Sequence, residues 1–98
     1  MDKRNYLVIL YDYYGALLNE DNKKYFEDYY FDNLSLGEIA INSGVSRNAV
    51  HKHIKSTEAK LLFYENKLKL YEKEEKLKGV LKKINDASVR DEIINIFS

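Results

Sequence analysis

Apolar residues recur along this chain with the spacing of helices. Tyr6, Ile9, Leu10, Tyr13, Tyr14 and Leu17 fall at i, i+3, i+4, i+7, i+8 and i+11, one face of a helix, although Leu7-Val8-Ile9 alone would pass for a strand. Gly15 interrupts that face at a cost of about 1 kcal/mol relative to Ala, which is tolerable where a neighbour packs closely. In the polar break Asn19–Asn22, Asn19 can cap a helix, and Glu20 and Asp21 suit its positive N-terminus. Tyr25, Phe26, Tyr29 and Tyr30 then form an aromatic stripe, which Asp32-Asn33 ends.

The next signals are sharper. Ser35-Leu36-Gly37-Glu38 is a capping box, in which the Ser35 hydroxyl accepts the Glu38 amide and the Glu38 carboxylate reaches back to the Ser35 amide. It opens a short helix with Leu36, Ile39 and Ala40 inward. Asn42-Ser43-Gly44 closes that helix, since Gly44 can take the left-handed conformation of a helix end. Val45 is a candidate buried staple, and Ser46 caps the following helix. In that helix Ile54, Thr57, Leu61, Tyr64, Leu68 and Tyr71 alternate spacings of 3 and 4, a heptad seam. A helix from Ser46 to Tyr71 would be about 37 Å long at roughly 1.5 Å per residue.

The seam loses register at Glu75 and Lys78, so a bend or break is expected within 72–79, before Leu77, Val80, Leu81 and Ile84 resume the pattern. Asn85-Asp86 stops it, and Ser88 can cap a last helix carrying Val89, Ile93, Ile94 and Phe97. The expected fold is all-α: a helix-turn-helix domain with a long recognition helix over residues 1–71, and a C-terminal helical extension over 72–98. The extension would pack on the same core or on a second protomer.

Composition narrows the function. The chain has 98 residues, 45% of them hydrophobic, and no Cys, Trp or Pro. Without cysteine there is no disulfide scaffold, thiolate zinc site or Cys nucleophile. No apolar run approaches the roughly 20 residues that span a bilayer. The charge-free stretch 5–11 lacks the length and cleavage site of a signal peptide. A cytoplasmic protein without membrane insertion is expected. His51 and His53, two apart on a helix, point about 200° apart and cannot share a ligand face. With no metal-binding or phosphate-loop motif and no nucleophile elbow, neither a metal, a cofactor nor catalysis is expected.

Formal neutrality, 16 basic against 16 acidic residues, hides an uneven distribution. Up to Val45 there are four basic and eight acidic residues; from Ser46 onward there are twelve and eight, so −4 turns into +4. The sign changes where the second helix of the Leu36–Ile54 unit begins. That unit, a short helix, a Gly-Val-Ser turn and a helix with basic first turns, has the helix-turn-helix arrangement. Ala40 is small where the helices cross, and Val45, Val50 and Ile54 would lock the second helix onto Leu36 and Ile39. Left outward are Arg47, Asn48, His51, Lys52 and Lys55. Arg and Asn suit bidentate contacts to guanine and adenine edges, and lysines suit phosphates. Ser46 and the free amides of the helix start could also meet a phosphate.

Tyr25-Phe26-Glu27-Asp28-Tyr29-Tyr30, Leu34 to Ala40, and Val45-Ser46-Arg47-Asn48-Ala49-Val50 resemble region 4 of bacterial sigma factors. There an aromatic helix precedes a helix-turn-helix that reads promoter DNA. The chain is more similar still to the YlxM family of small bacterial proteins. The carrying motifs are Tyr14-Gly15-x-Leu17-Leu18, Leu34 to Ala40, Val45-Ser46-Arg47-x-Ala49-Val50, Ile54-Lys55-x-Thr57-Glu58 and Glu65-x-Lys67-Leu68-x-Leu70-Tyr71. They span about residues 5–71. This resemblance implies a sigma-region-4-like DNA-binding protein, RNA being an alternative ligand. It also implies a part, regulatory in kind, in the signal recognition particle pathway, whose GTPase and receptor genes commonly neighbour those of the family. The chain departs from the family pattern at His51-Lys52-His53, where a tyrosine and an acidic or amide residue are more common.

Two further expectations concern proteins. The seam formed by Ile54, Leu61, Tyr64, Leu68 and Tyr71 would serve either a homodimer or packing against the Tyr6–Leu18 helix of the same chain. The thirteen aromatics, nine of them Tyr, and the acids Glu20, Asp21, Glu27 and Asp28 suit an adaptor. Its partner would be basic, such as the signal recognition particle GTPase.

Overall fold

A computed structural model describes residues 1–97, and among these every regular element is helical. Helices α1 (Lys3–Tyr14), α2 (Glu20–Tyr30), α3 (Leu36–Ser43) and α4 (Arg47–Leu68) belong to a first compact unit, Met1–Leu68. Helices α5 (Leu70–Leu81) and α6 (Ala87–Phe97) belong to a second, which begins at Lys69. The all-α fold expected from the sequence is the fold observed.

Local chemistry sets the helix ends. Asp2 accepts the Asn5 amide at 2.8 Å to start α1, and Asn19 accepts the Asn22 amide at 2.8 Å to start α2. Between them Gly15–Leu17 tightens into a 3-10 turn. A Cβ at Gly15 would lie 3.2 Å from the Tyr11 ring, so the glycine lets that ring pack close. The C-terminal end of α2 is held by Arg4, whose Nη2 donates to the carbonyls of Tyr29 (3.3 Å) and Tyr30 (3.1 Å) and to Asn33 Oδ1 (3.1 Å). A cation there offsets the carbonyls that a helix end leaves without partners. The same guanidinium lies over the Tyr30 ring, 4.8 Å from its centroid.

Helix α4 is the axis of the first unit, packed by α1, α2 and α3. Leu7, Leu10, Tyr14, Phe26, Ile39, Val50, Ile54, Thr57 and Leu61 are buried around it. On α1 Leu10 and Tyr14 of the expected face are buried, joined by Leu7 and, beyond the turn, by Leu18. Tyr6, Ile9 and Tyr13 are half-buried and Leu17 is exposed. Five consecutive apolar residues from Tyr6 to Leu10 support either phase, and packing on α4 selects one. The seam on α4 is spent inside the chain: Ile54 and Leu61 are buried, and the half-buried Tyr64 meets the Tyr14 ring at 5.9 Å between centroids. Over that stretch the seam takes the second of the two expected uses, packing within the chain, while Leu68 at its end is 45% exposed.

The long helix is also shorter than expected. It ends at Leu68, where Lys69 takes a left-handed conformation (φ +57), and α5 starts at Leu70, ahead of the expected break. Within the second unit, Leu77 and Leu81 of α5 and Ile94 and Phe97 of α6 line one hollow of about 160 Å³. The last helix is capped by Asp86, whose Oδ1 accepts the amides of Ser88 (2.9 Å) and Val89 (3.3 Å), not by Ser88.

Two tyrosines give the first unit an alkaline limit. Burial, then the Glu58 carboxylate it donates to, raises the pKa of the Tyr30 hydroxyl; burial, then Glu27, raises that of Tyr11 to about 12. Unfolded tyrosines ionise near 10.0. The stability that rests on the neutral hydroxyls is therefore complete below that value and is lost as pH rises through 10 toward the folded-state values. Urea midpoints by circular dichroism are expected to fall above pH 10, and to fall less steeply in Tyr30→Phe.

Candidate nucleic-acid interface

The turn between α3 and α4 forms as its residues dictate. Ser35 Oγ accepts the Glu38 amide at 3.1 Å and the Glu38 carboxylate accepts the Ser35 amide at 3.0 Å, completing the capping box. Those two bonds hold the Glu38 carboxyl below its ordinary range, the backbone bond contributing most. Gly44 sits at φ +68, ψ +31, the left-handed region that favours glycine, and the amides of Gly44 and Val45 both donate to the Ala40 carbonyl. Ser46 then starts α4: its Oγ accepts the Ala49 amide at 3.1 Å and its carbonyl accepts the Val50 amide at 3.2 Å.

Val50 and Ile54 are buried with Ile39, Ala40 and Tyr25, and the partly buried Tyr29, Tyr30, Leu34 and Leu36 close around them. This cluster sets the angle between α3 and α4. Val45 takes no part in it as the expected staple. It is 39% exposed, because the left-handed Gly44 turns the chain outward before α4 begins.

Ser46, Arg47, Asn48, His51, Lys52 and Lys55 are all exposed. The amides that Ser46 does not take at the helix start are those of Arg47 and Asn48, so the positive end of α4 and the Arg47 side chain lie together. Among the described residues Arg47 and Lys52 make no ion pair. Lys55 differs: its Nζ lies 3.4 Å from Glu58 Oε1. Glu58 is buried and its other oxygen accepts from the Tyr30 hydroxyl at 2.5 Å, so a core carboxylate orients one lysine of the candidate face.

Other residues beside this face escaped the sequence pattern. His53 is a joint between helices as well as a surface residue: Nδ1 lies 3.3 Å from Oδ1 of the buried Asn22, and its ring is 5.0 Å from that of Tyr25. With Ala49, Lys52 and Ser56 it lines a shallow hollow of about 320 Å³. A signal for part of this was present, since Glu58 and Glu65 share the phase of Leu61 and Ile54 and so belong to the inward face.

Residues 1–96 match the model of the family described as "Putative helix-turn-helix protein, YlxM / p13 like". The chain belongs to this family of helix-turn-helix proteins. Among its relatives, the UPF0122 protein of Shouchella clausii is 43% identical over 94 residues, covering 96% of this chain and 86% of that protein. The UPF0122 protein of Halalkalibacterium halodurans is 46% identical over 87 residues, 89% of this chain and 80% of its own length. The corresponding protein of Malacoplasma penetrans is 41% identical over 88 residues, 90% and 82% of the two chains. No helix among the described residues is long and apolar enough to cross a membrane.

Proposed function

We propose that this protein is a nucleic-acid-binding regulator that lays the first turns of α4 in the major groove of DNA. Arg47 and Asn48 would read base edges, while His51, Lys52 and Lys55 contact the flanking backbone. The observation that carries this reading is the set of exposed side chains, Arg47 and Lys52 making no ion pair among the described residues, at the start of a helix whose opposite side is anchored in the core. Anchoring matters because readout requires the helix to enter the groove at a fixed angle. The family's association with signal recognition particle genes supports a regulatory role in co-translational targeting, carried out in the cytoplasm.

With three or four phosphates neutralised, the logarithm of affinity should fall with that of salt concentration at a slope of about −3. Fluorescence anisotropy with nuclease-treated protein and duplex DNA tests this. No salt-sensitive binding to any duplex at low ionic strength would end the proposal.

A second reading, an adaptor for the signal recognition particle GTPase or its RNA, is favoured by the outward placement of Glu20, Asp21 and Glu27 on α2. Asp28 is half-buried and paired with Lys24 at 3.4 Å, so it has less to offer a partner. Pull-down of the purified GTPase separates the two readings. Loss on Glu27→Lys but not on Arg47→Glu supports the adaptor, and the reverse order supports the nucleic-acid interface.

A further inference from the structure

Helix α4 carries two acids, Glu58 and Glu65, and both are buried. Each accepts a 2.5 Å hydrogen bond from a tyrosine of another helix, Tyr30 for Glu58 and Tyr14 for Glu65. The solvent side of α4 is therefore left with positive charge alone, from its first turn to its last. On the distal half of that side Lys60 and Lys67 are exposed, and among the described residues neither makes an ion pair. Between them stands Phe63, 56% exposed.

The three residues share one helix face, Lys60 at i−3 and Lys67 at i+4 from Phe63. The lysines are about 10 Å apart along the axis. Lys67 Nζ lies 5.7 Å from the Phe63 ring centroid, and Tyr64 meets that ring only edgewise, at 65°.

We propose that this face is a second nucleic-acid site, one for unpaired nucleotides, with Phe63 as the stacking platform and Lys60 and Lys67 as its phosphate contacts. The charge selects a polyanion. The aromatic ring then selects within polyanions, because a duplex keeps the faces of its bases inside the stack, whereas an unpaired base can lay its face on Phe63. The approach along the helix is open: on the line from Lys52 to Phe63 the intervening side chains are Ser56 and Ala59, both small, and Ser56 borders the shallow hollow beside Lys52. The inference goes beyond duplex recognition by Arg47 and Asn48, and the two can fail separately.

The chain has no tryptophan, so Phe63→Trp places a single reporter at the proposed platform. Titration with oligothymidylate and with oligouridylate is expected to quench its fluorescence saturably, with the quenching reversed by salt. Quenching by one oligonucleotide alone assigns the site to single-stranded DNA or to RNA; quenching by both leaves the shared chemistry as the determinant. By anisotropy, Phe63→Ala is expected to weaken single-strand binding by about tenfold while leaving binding of a matched duplex unchanged. Lys60→Ala and Lys67→Ala should each flatten the salt dependence of single-strand binding only. Wild-type affinity of Phe63→Ala for both single strands, or absence of quenching at saturating oligonucleotide, would overturn the proposal. Neither result would touch duplex binding, which Arg47→Ala tests.

Discussion

Phe26→Ala is expected to lower the stability of the first unit by about 3–5 kcal/mol. The ring is fully buried, stacked on Tyr11 at 4.5 Å and on Tyr30 at 4.4 Å between centroids, with Phe31 edge-on at 6.1 Å. Truncation removes the transfer energy of a whole phenyl ring and opens a cavity. It also removes three aromatic contacts, each worth about 0.5–1.5 kcal/mol beyond the area they bury. Set against the roughly 5–15 kcal/mol that holds a small domain together, that loss leaves little margin. It also reaches the candidate face of α4, because Phe26 positions the Tyr30 ring, Tyr30 holds Glu58, and Glu58 holds Lys55. Urea unfolding at neutral pH checks the magnitude. Phe26→Leu, which keeps most of the volume, should cost less than half as much, and equal costs for the two would mean that packing does not dominate at this position.

What could be read from the sequence follows the range of each interaction. The capping box at Ser35 and Glu38, the left-handed Gly44 and the Ser46 cap depend on residues within four positions of each other, and all three stand where the pattern places them. The aromatic stripe of α2 is likewise local, and Tyr25 and Phe26 are buried. The phase of α1 was legible only in part, at Leu10 and Tyr14, because Tyr6 to Leu10 offer an apolar side in every direction and only contact with α4 distinguishes them.

The roles of Glu58 and Glu65 were hidden for a different reason. Their tyrosine partners lie 28 and 51 residues away, and a carboxylate is assigned to the surface until its donor is known. The break at Lys69 has neither glycine nor proline to announce it, and a lysine at positive φ is a departure from ordinary preference that no local pattern signals. The exposure of Ser46, Arg47, Asn48, His51, Lys52 and Lys55 was legible, but their coupling to the core was not. That Lys55 is tethered to the core while Arg47 and Lys52 are not is a tertiary fact.

That difference separates the expected effects of substitutions along α4. Arg47→Ala and Asn48→Ala should each cost about 1–3 kcal/mol against the preferred duplex, the value of a bidentate base contact, and should flatten the preference for it over scrambled DNA. Lys52→Ala should weaken binding to all duplexes alike and reduce the salt slope by about 0.9, as one phosphate contact does. Lys55→Ala should do less than Lys52→Ala, since Glu58 already opposes part of its charge. Conversely, Glu58→Gln should release Lys55 while keeping an oxygen for the Tyr30 hydroxyl, making the salt slope steeper. Arg47, Asn48, Lys52 and Lys55 are exposed, so none of the alanine variants should change the unfolding free energy by more than about 0.5 kcal/mol. Anisotropy titrations over a salt series, on preferred and scrambled duplexes, measure affinity, preference and slope together. If Arg47→Ala lowered affinity equally for every sequence, Arg47 would be a backbone contact and base reading would have to reside elsewhere on α4. If Lys55→Ala matched Lys52→Ala in slope, the Glu58 tether would not persist in the complex.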